Sequence, residues 1–275
     1  MAITYTAKFA EKVDERFTPS SVTYAGVNQD YDFVGAQTIK ITSVTTADNK
    51  DYNRKTGYGA AQQIENVIQE MTMTKDRGFK ILLDKMDEEE TKIKSGEVLA
   101  RQLREKVIPE IEEYRLSKML DSCKGTAITG AAGKAYENFL AAQEKLDDAF
   151  VPAAGRVAFV TPAFLNQLKL DPNFVKASEL AQGTILMRGQ VGEVDGIPII
   201  KTNKAWMHDL TSETAGNYDC LIAHRSATVA PIKLQEYRIV TDSEDYSGTL
   251  FLGRFYYDCF ILDEKKNGLV AITRP

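Results

Sequence analysis

An α+β fold is predicted for this chain of 275 residues from the order of its hydrophobic periods. Helical spacing dominates from Ser95 to Asp148, whereas short alternating runs bounded by turn residues fill the C-terminal third. No repeat of fixed length and no low-complexity linker divides the two regions.

The elements follow in chain order. Phe9, Ala10, Val13 and Phe17 recur at helical spacing ahead of Pro19, which predicts a short amphipathic segment. Thr18 to Asp32 has no sustained period and reads as an extended arm that needs a surface to lie on. AQTIKITSV alternates through Ile39 and Ile41, and EMTMTKDRGFKILLDK alternates through Met71, Met73, Phe79, Ile81 and Leu83. Between them lies a polar stretch rich in Asn, Asp and Gly. Together they predict a long two-stranded excursion, which needs a partner surface because an isolated ribbon is marginal in water.

Leu99, Leu103, Val107, Ile111, Tyr114 and Met119 form one stripe from Ser95 to Ser122. A continuous helix of this length would run about 40 Å. Pro109 removes a backbone donor, so a kink or a break into two helices is expected there. A second helix is expected from Ala135 to Asp148, then a strand from Val157 to Val160 and a short helix started by Thr161 and Pro162. YDCLIAHR, APIKLQEYRIV, GTLFLGRFYYDCFIL and GLVAITR read as strands, and Asn267-Gly268 reads as a two-residue hairpin turn between CFILDEKK and LVAIT.

Composition narrows the function. A net charge of −5 with both signs interspersed argues against a dedicated nucleic-acid binder. Three separated cysteines without a CxxC pair fit buried thiols in a reducing cytoplasm. The charged N-terminus has no apolar signal core, and no run of eighteen apolar residues exists to span a membrane.

A search for chemistry finds no catalytic, cofactor or metal constellation. His208 and His224 stand outside metal spacings, and Cys220 and His224 would lie about 13 Å apart along a strand. The acidic run from Asp84 to Glu90 reads as a solvated helix entry, and Asp242 to Gly248 reads as a surface turn without a calcium loop's alternation. No nucleophile elbow or phosphate loop is present. GQVGEVDGIPIIK, from Gly189, has the glycine spacing GxxGxxxG and is followed by an apolar strand where a dinucleotide site needs a helix. Asp195-Gly196 is expected to form a type I′ turn, with Pro198 restricting the next strand to an edge or to its own first position. At the excursion tip, Lys50, Arg54 and Lys55 interleave with Tyr52 and Tyr58, while Asp48 and Asp51 offset their charge. That pattern suits a protein–protein contact.

Taken in order, YDFVGAQTIKI, DYNR, FKILLDKMDEEET, REKVIPEIEEYR, VPAAGRVAFVTPAFLNQL, GEVDGIPIIK and GRFYYDCFILDEKKNGLVAI resemble the major capsid proteins of tailed bacteriophages, with the Hong Kong 97 type of shell fold. The resemblance spans nearly the whole chain. It implies an N-terminal arm over 1–35, an extended loop over 36–84, a peripheral domain over 85–122 and 223–254, and an axial domain over 123–222 and 255–275. It implies a structural subunit and no enzyme: a homo-oligomer of pentamers and hexamers enclosing double-stranded DNA, with scaffold and portal proteins as partners. Such a subunit would be assembled in the bacterial host cytoplasm and reside in the phage head. Starting almost directly with its arm, the chain is expected to be a mature form or to use a separate scaffold. An encapsulin-like nanocompartment shell is the alternative with the same fold.

Overall fold

The computed structural model describes residues 21–28, 38–44, 65–85, 95–171, 192–211, 217–240 and 248–275, with scattered positions between 46 and 63. The expected helix at Phe9–Phe17, the acidic run beyond Lys85 and the turn at Asp242–Ser247 lie outside the described residues.

Strands β1 (Thr38–Val44) and β2 (Asn66–Thr72) pair antiparallel, from Thr38 opposite Thr72 to Val44 opposite Asn66. β3 (Lys75–Asp84) follows at once but belongs elsewhere. The alternating run read as a single return strand is therefore two strands broken at Met73-Thr74. The excursion ends at Thr72, not at residue 84. The apolar residues on either side, Met71 and Met73 then Phe79, Ile81 and Leu83, keep the same phase, and only the polar stretch TKDRG between them marks the break.

Helix α1 (Ser95–Gln102) passes through a π-turn (Leu103–Val107) into α2 (Ile108–Ser122). Of the kink or break expected at Pro109, the break does not occur. Proline gives the Glu105 carbonyl no donor, and the helix absorbs the loss by widening: the Ile108 amide donates to the Leu103 carbonyl, five residues back.

β4 (Ile128–Thr129), α3 (Ala135–Asp148), β5 (Arg156–Val160) and α4 (Pro162–Leu170) come next. Thr161 caps α4 by accepting from the Phe164 amide, with Pro162 at the first helical position. Then follow β6 (Glu193–Val194), β7 (Ile197–Lys201), β8 (Tyr218–His224), β9 (Thr228–Val229), β10 (Ile232–Val240), β11 (Gly248–Tyr257), β12 (Phe260–Ile261) and β13 (Leu269–Thr273).

Of the four sheets among the described residues, the two larger ones organise the body. A mixed six-stranded sheet runs β4-β13-β8-β5-β7-β6. Its strands are apolar on both faces because helices cover both. Val157, Phe159, Leu221, Ala223, Leu269 and Ala271 pack with Leu116, Met119 and Leu120 of α2. Ala158, Val160, Cys220, Ile222, Val270 and Ile272 pack with Phe139 and Leu146 of α3 and Phe164 and Leu168 of α4. The second sheet, β10-β11-β3, lays Phe79, Phe255 and Tyr257 against Leu103, Val107, Ile111 and Tyr114. One long helix thus serves both sheets, its first half one and its second half the other.

The Asn267-Gly268 hairpin is corrected by the structure. Asp263–Gly268 forms a 3-10 turn, β12 pairs with β9, and β13 pairs with β8 and β4. A two-residue hairpin turn would make β12 and β13 neighbours. The buried chain ends on either side, Leu262 and Leu269, instead join different cores.

Candidate inter-subunit surfaces

The N-terminal segment enters the body at a buried carboxylate. Glu112 on α2 is 1% exposed. It accepts from the Ser21 hydroxyl at 2.7 Å, the Val22 amide at 2.9 Å, the Thr23 amide at 2.7 Å and the Thr23 hydroxyl at 3.0 Å. Arg115, also buried, lies 3.6 Å from the same carboxylate, donates to the Thr23 hydroxyl and ties in the Ala230 carbonyl. Gly26 runs so close beneath Phe159 that a Cβ there would sit 2.7 Å from the ring. The amide of Asn28 then donates to the Thr228 carbonyl. Residues 21–28 are therefore a fixed root, whatever course residues 1–20 take.

The excursion has an equally defined root. Asp258, between β11 and β12, is 3% exposed. Its carboxylate accepts from the Thr74 amide and hydroxyl at 2.8 and 2.9 Å, from Tyr114 Oη at 2.8 Å and from the Cys259 amide at 2.8 Å. Tyr256 Oη donates to the Met73 carbonyl. Burial, followed by the bond to Asp258, holds the Tyr114 phenol far above its ordinary pKa. One turn further out, Gln69 donates to the Ile261 carbonyl and accepts from the Asp263 amide. Ile39, Ile41, Met71 and Met73 seat this inner half on Val229, Tyr256, Phe260 and Leu262. Among the described residues the outer half is less well seated: Val44, Val67 and Ile68 are each about half exposed.

At the tip, Tyr52, Arg54 and Lys55 are exposed, Arg54 and Lys55 in a turn. Lys50 and Tyr58 lie outside the described residues.

In the glycine-rich stretch, Val194 pairs with Ile197. Asp195 (φ +50°) and Gly196 (φ +76°) occupy the turn, the two positive dihedrals of a type I′ turn. Val194 and Ile197 bury beside α3 and α4, and Ile199 pairs with Ala158 in parallel. Strand follows turn, so no helix N-terminus faces a phosphate. Gly189 to Val191 lie outside the described residues.

Chemistry elsewhere is locked into structure. Among the described residues no group of three metal-ligating side chains converges. His224 bonds the Ala154 carbonyl and the Ser226 hydroxyl. Burial pushes the Cys123 and Cys259 thiols up to about 12 and Cys220 higher still, removing them as nucleophiles. A shallow groove of about 470 Å³ on the open face of the second sheet carries Arg77, Lys80, Arg238 and Arg254. Asp76 holds Arg254 in two bonds and Glu110 holds Arg77, which spends much of that charge internally.

Glu112 and Asp258 were not singled out by sequence reasoning. Each carries a readable signal: a carboxylate inside an apolar helical stripe (IEEYRL) and another inside an apolar strand run (FYYDCFIL). No helix among the described residues is long and apolar enough to cross a membrane.

No protein-family model and no curated protein matches the sequence. Solved structures do. A structure from Mycobacterium phage Che8 superposes with a TM-score of 0.80 at 17% identity, over 98% of this chain and 96% of that one. The capsid structure of Cyanophage P-SCSP1u gives 0.78 at 15% identity, over 98% and 93%. The asymmetric unit of the bacteriophage PhiM1 mature capsid gives 0.77 at 12%, over 98% and 92%. The architecture is that of a virus shell protein. More narrowly, the fold is that of a bacteriophage major capsid protein.

Proposed function

We propose that this chain is the structural subunit of an icosahedral bacteriophage head, closing as pentamers and hexamers around double-stranded DNA. The observation that carries the reading is the agreement in fold with phage capsid structures from end to end, over 98% of the chain. An excursion whose outer half exposes Val44, Val67 and Ile68 supports it, since apolar groups on a ribbon call for a covering surface. The tip residues Lys50, Tyr52, Arg54, Lys55 and Tyr58 are assigned to contact with a neighbouring copy. No catalytic or cofactor role is assigned.

In this reading residues 1–35 form the arm and the excursion forms the extended loop. The long helix with β3, β10 and β11 makes the peripheral domain, and the six-stranded sheet with α3 and α4 makes the axial domain. Scaffold and portal proteins would be partners during assembly in the host cytoplasm, and the product would reside in the virion.

Electron microscopy of the expressed protein, alone and with its scaffold partner, tests the proposal. Closed shells are expected, and deletion of Asp48 to Gly59 should leave a folded subunit that forms none. A compact monomer under every assembly condition would overturn the reading. Native particles that hold one cargo enzyme and no DNA would turn it toward a nanocompartment.

A further inference from the structure

Phe150 is 94% exposed and has a φ of +56°. It sits at the end of α3, where the Phe150 amide donates to the Asp147 carbonyl and the Val151 amide to the Leu146 carbonyl. These two bonds make the helix end that glycine usually completes, because only glycine takes the left-handed conformation without steric cost. A bulky aromatic in that conformation is an outlier. Here the ring gains nothing within the subunit in return, since almost all of it faces solvent.

The turn that carries it is rigid. Arg156, itself buried, donates to Asp147 Oδ1 at 2.6 Å, to the Pro152 carbonyl at 3.0 Å and to the Val151 carbonyl. Val151 packs into the core beside Leu146. The phenyl ring is therefore held outward on a fixed base, the pre-organised form of an interface anchor.

The opposite end of the same helical layer carries a second exposed apolar side chain. Leu170, the last residue of α4, is 80% exposed. The Tyr136 amide donates to Asp171 at 3.2 Å, so Leu170 lies by the first turn of α3 while Phe150 follows its last. The fourteen residues of α3 separate them by about 20 Å. A projecting aromatic at one end of a layer and an exposed apolar side chain at the other suit a head-to-tail contact, and head-to-tail contacts close into rings where the rotation allows.

We propose that Phe150 is an assembly anchor that inserts against the Leu170 end of the helical layer in a second copy of this chain. The inference rests on the shell-subunit reading for the ring it would help to close. Its residues are separate from the excursion.

Two measurements test it on the full-length protein. Phe150→Gly should raise Tm by about 2–4 °C, by relieving the backbone strain, while cutting particle yield at least about tenfold. Wild-type yield from Phe150→Gly, or a fall in Tm showing that the ring packs within its own subunit, would overturn the proposal. Photo-crosslinking from p-benzoylphenylalanine placed at position 150, in concentrated subunit, should mark a peptide containing Leu170 of another copy. Adducts confined to the same chain, to another surface or to a different protein would overturn it. If wild-type protein forms no shells, the capsid reading falls, and the cross-link still decides this contact.

Discussion

Replacing Asp258 by alanine should unfasten the excursion while leaving both sheets formed. The carboxylate accepts four hydrogen bonds, from the Thr74 amide and hydroxyl, Tyr114 Oη and the Cys259 amide. Only the last donor is fully buried. Its loss leaves an unmet amide, at about 1–3 kcal/mol. The other three lie where water can replace the carboxylate, and each loses roughly 0.5–1 kcal/mol. Recovered desolvation of the carboxylate offsets part of the sum, leaving a net loss of about 3 kcal/mol. Urea denaturation reads that loss as a lower midpoint at unchanged slope. Hydrogen exchange reads its location: amides of residues 66–74 should lose protection well before those of β5 and β8. Asp258→Asn keeps one acceptor but turns an amide donor toward Thr74 or Tyr114, and should fall between wild type and alanine. A loss below about 1 kcal/mol, or unchanged exchange in residues 66–74, would refute the assignment of Asp258 as the root of the excursion.

Three further outcomes follow from the same geometry. Glu112→Gln removes the counter-charge of buried Arg115 and sets an amide donor against the Val22 and Thr23 amides; a loss of about 3 kcal/mol and early proteolytic cleavage near residues 21–28 are expected. Gly196→Ala forces a side chain into a φ of +76° and should cost about 1–2 kcal/mol, measured as a Tm drop with the fold retained. The three thiols are raised by burial, two of them to about 12 from an ordinary 9.0, so the folded state favours the neutral form. Their stabilisation is complete below pH 9 and is lost as pH climbs toward the folded values, by roughly 4 kcal/mol for the three by pH 10. The native protein should resist a thiol reagent at pH 8 and react at all three cysteines once unfolded.

How legible the fold was depended on whether local pattern and final contact agreed. The helix at Ala135–Asp148 and the Thr161-Pro162 helix start were readable because capping and period are local properties. The long helix was readable in extent but not in its response to Pro109, since a π-turn and a break begin from the same missing donor. The partition of Met71 to Leu83 into two strands was easily missed, because the apolar residues on both sides of TKDRG keep one phase and pairing with β11 is what separates them. Asn267-Gly268 misled for a related reason. Its composition suits a hairpin, but β8 offers β13 a full-length antiparallel partner, and tertiary pairing prevailed over turn preference. Within the candidate surfaces, the Asp195-Gly196 turn was legible for its backbone chemistry. Glu112 and Asp258 were legible only as charges out of place, since a buried carboxylate's partners come from segments about 90 and 184 residues distant.

Those two carboxylates meet on one helical turn. Glu112 holds the arm root from α2, and two residues later Tyr114 donates to Asp258, which holds the excursion root. Arg115 bonds Thr23 on one side, and its carbonyl faces the Cys259 thiol on the other. Both projecting segments are thus fastened to the same four residues, at the point where the long helix passes from one sheet to the other. Apolar packing alone would leave each segment free to slide along its seat, because dispersion contacts are weakly directional. Buried charge-assisted hydrogen bonds fix the angle of departure as well as the place. The proposed shell subunit, which would reach its neighbours through an arm and a ribbon, needs both directions set together. A change at the Glu112–Arg115 turn should therefore disturb arm and excursion jointly, and a double variant of Glu112 and Asp258 should lose less stability than the two single losses added.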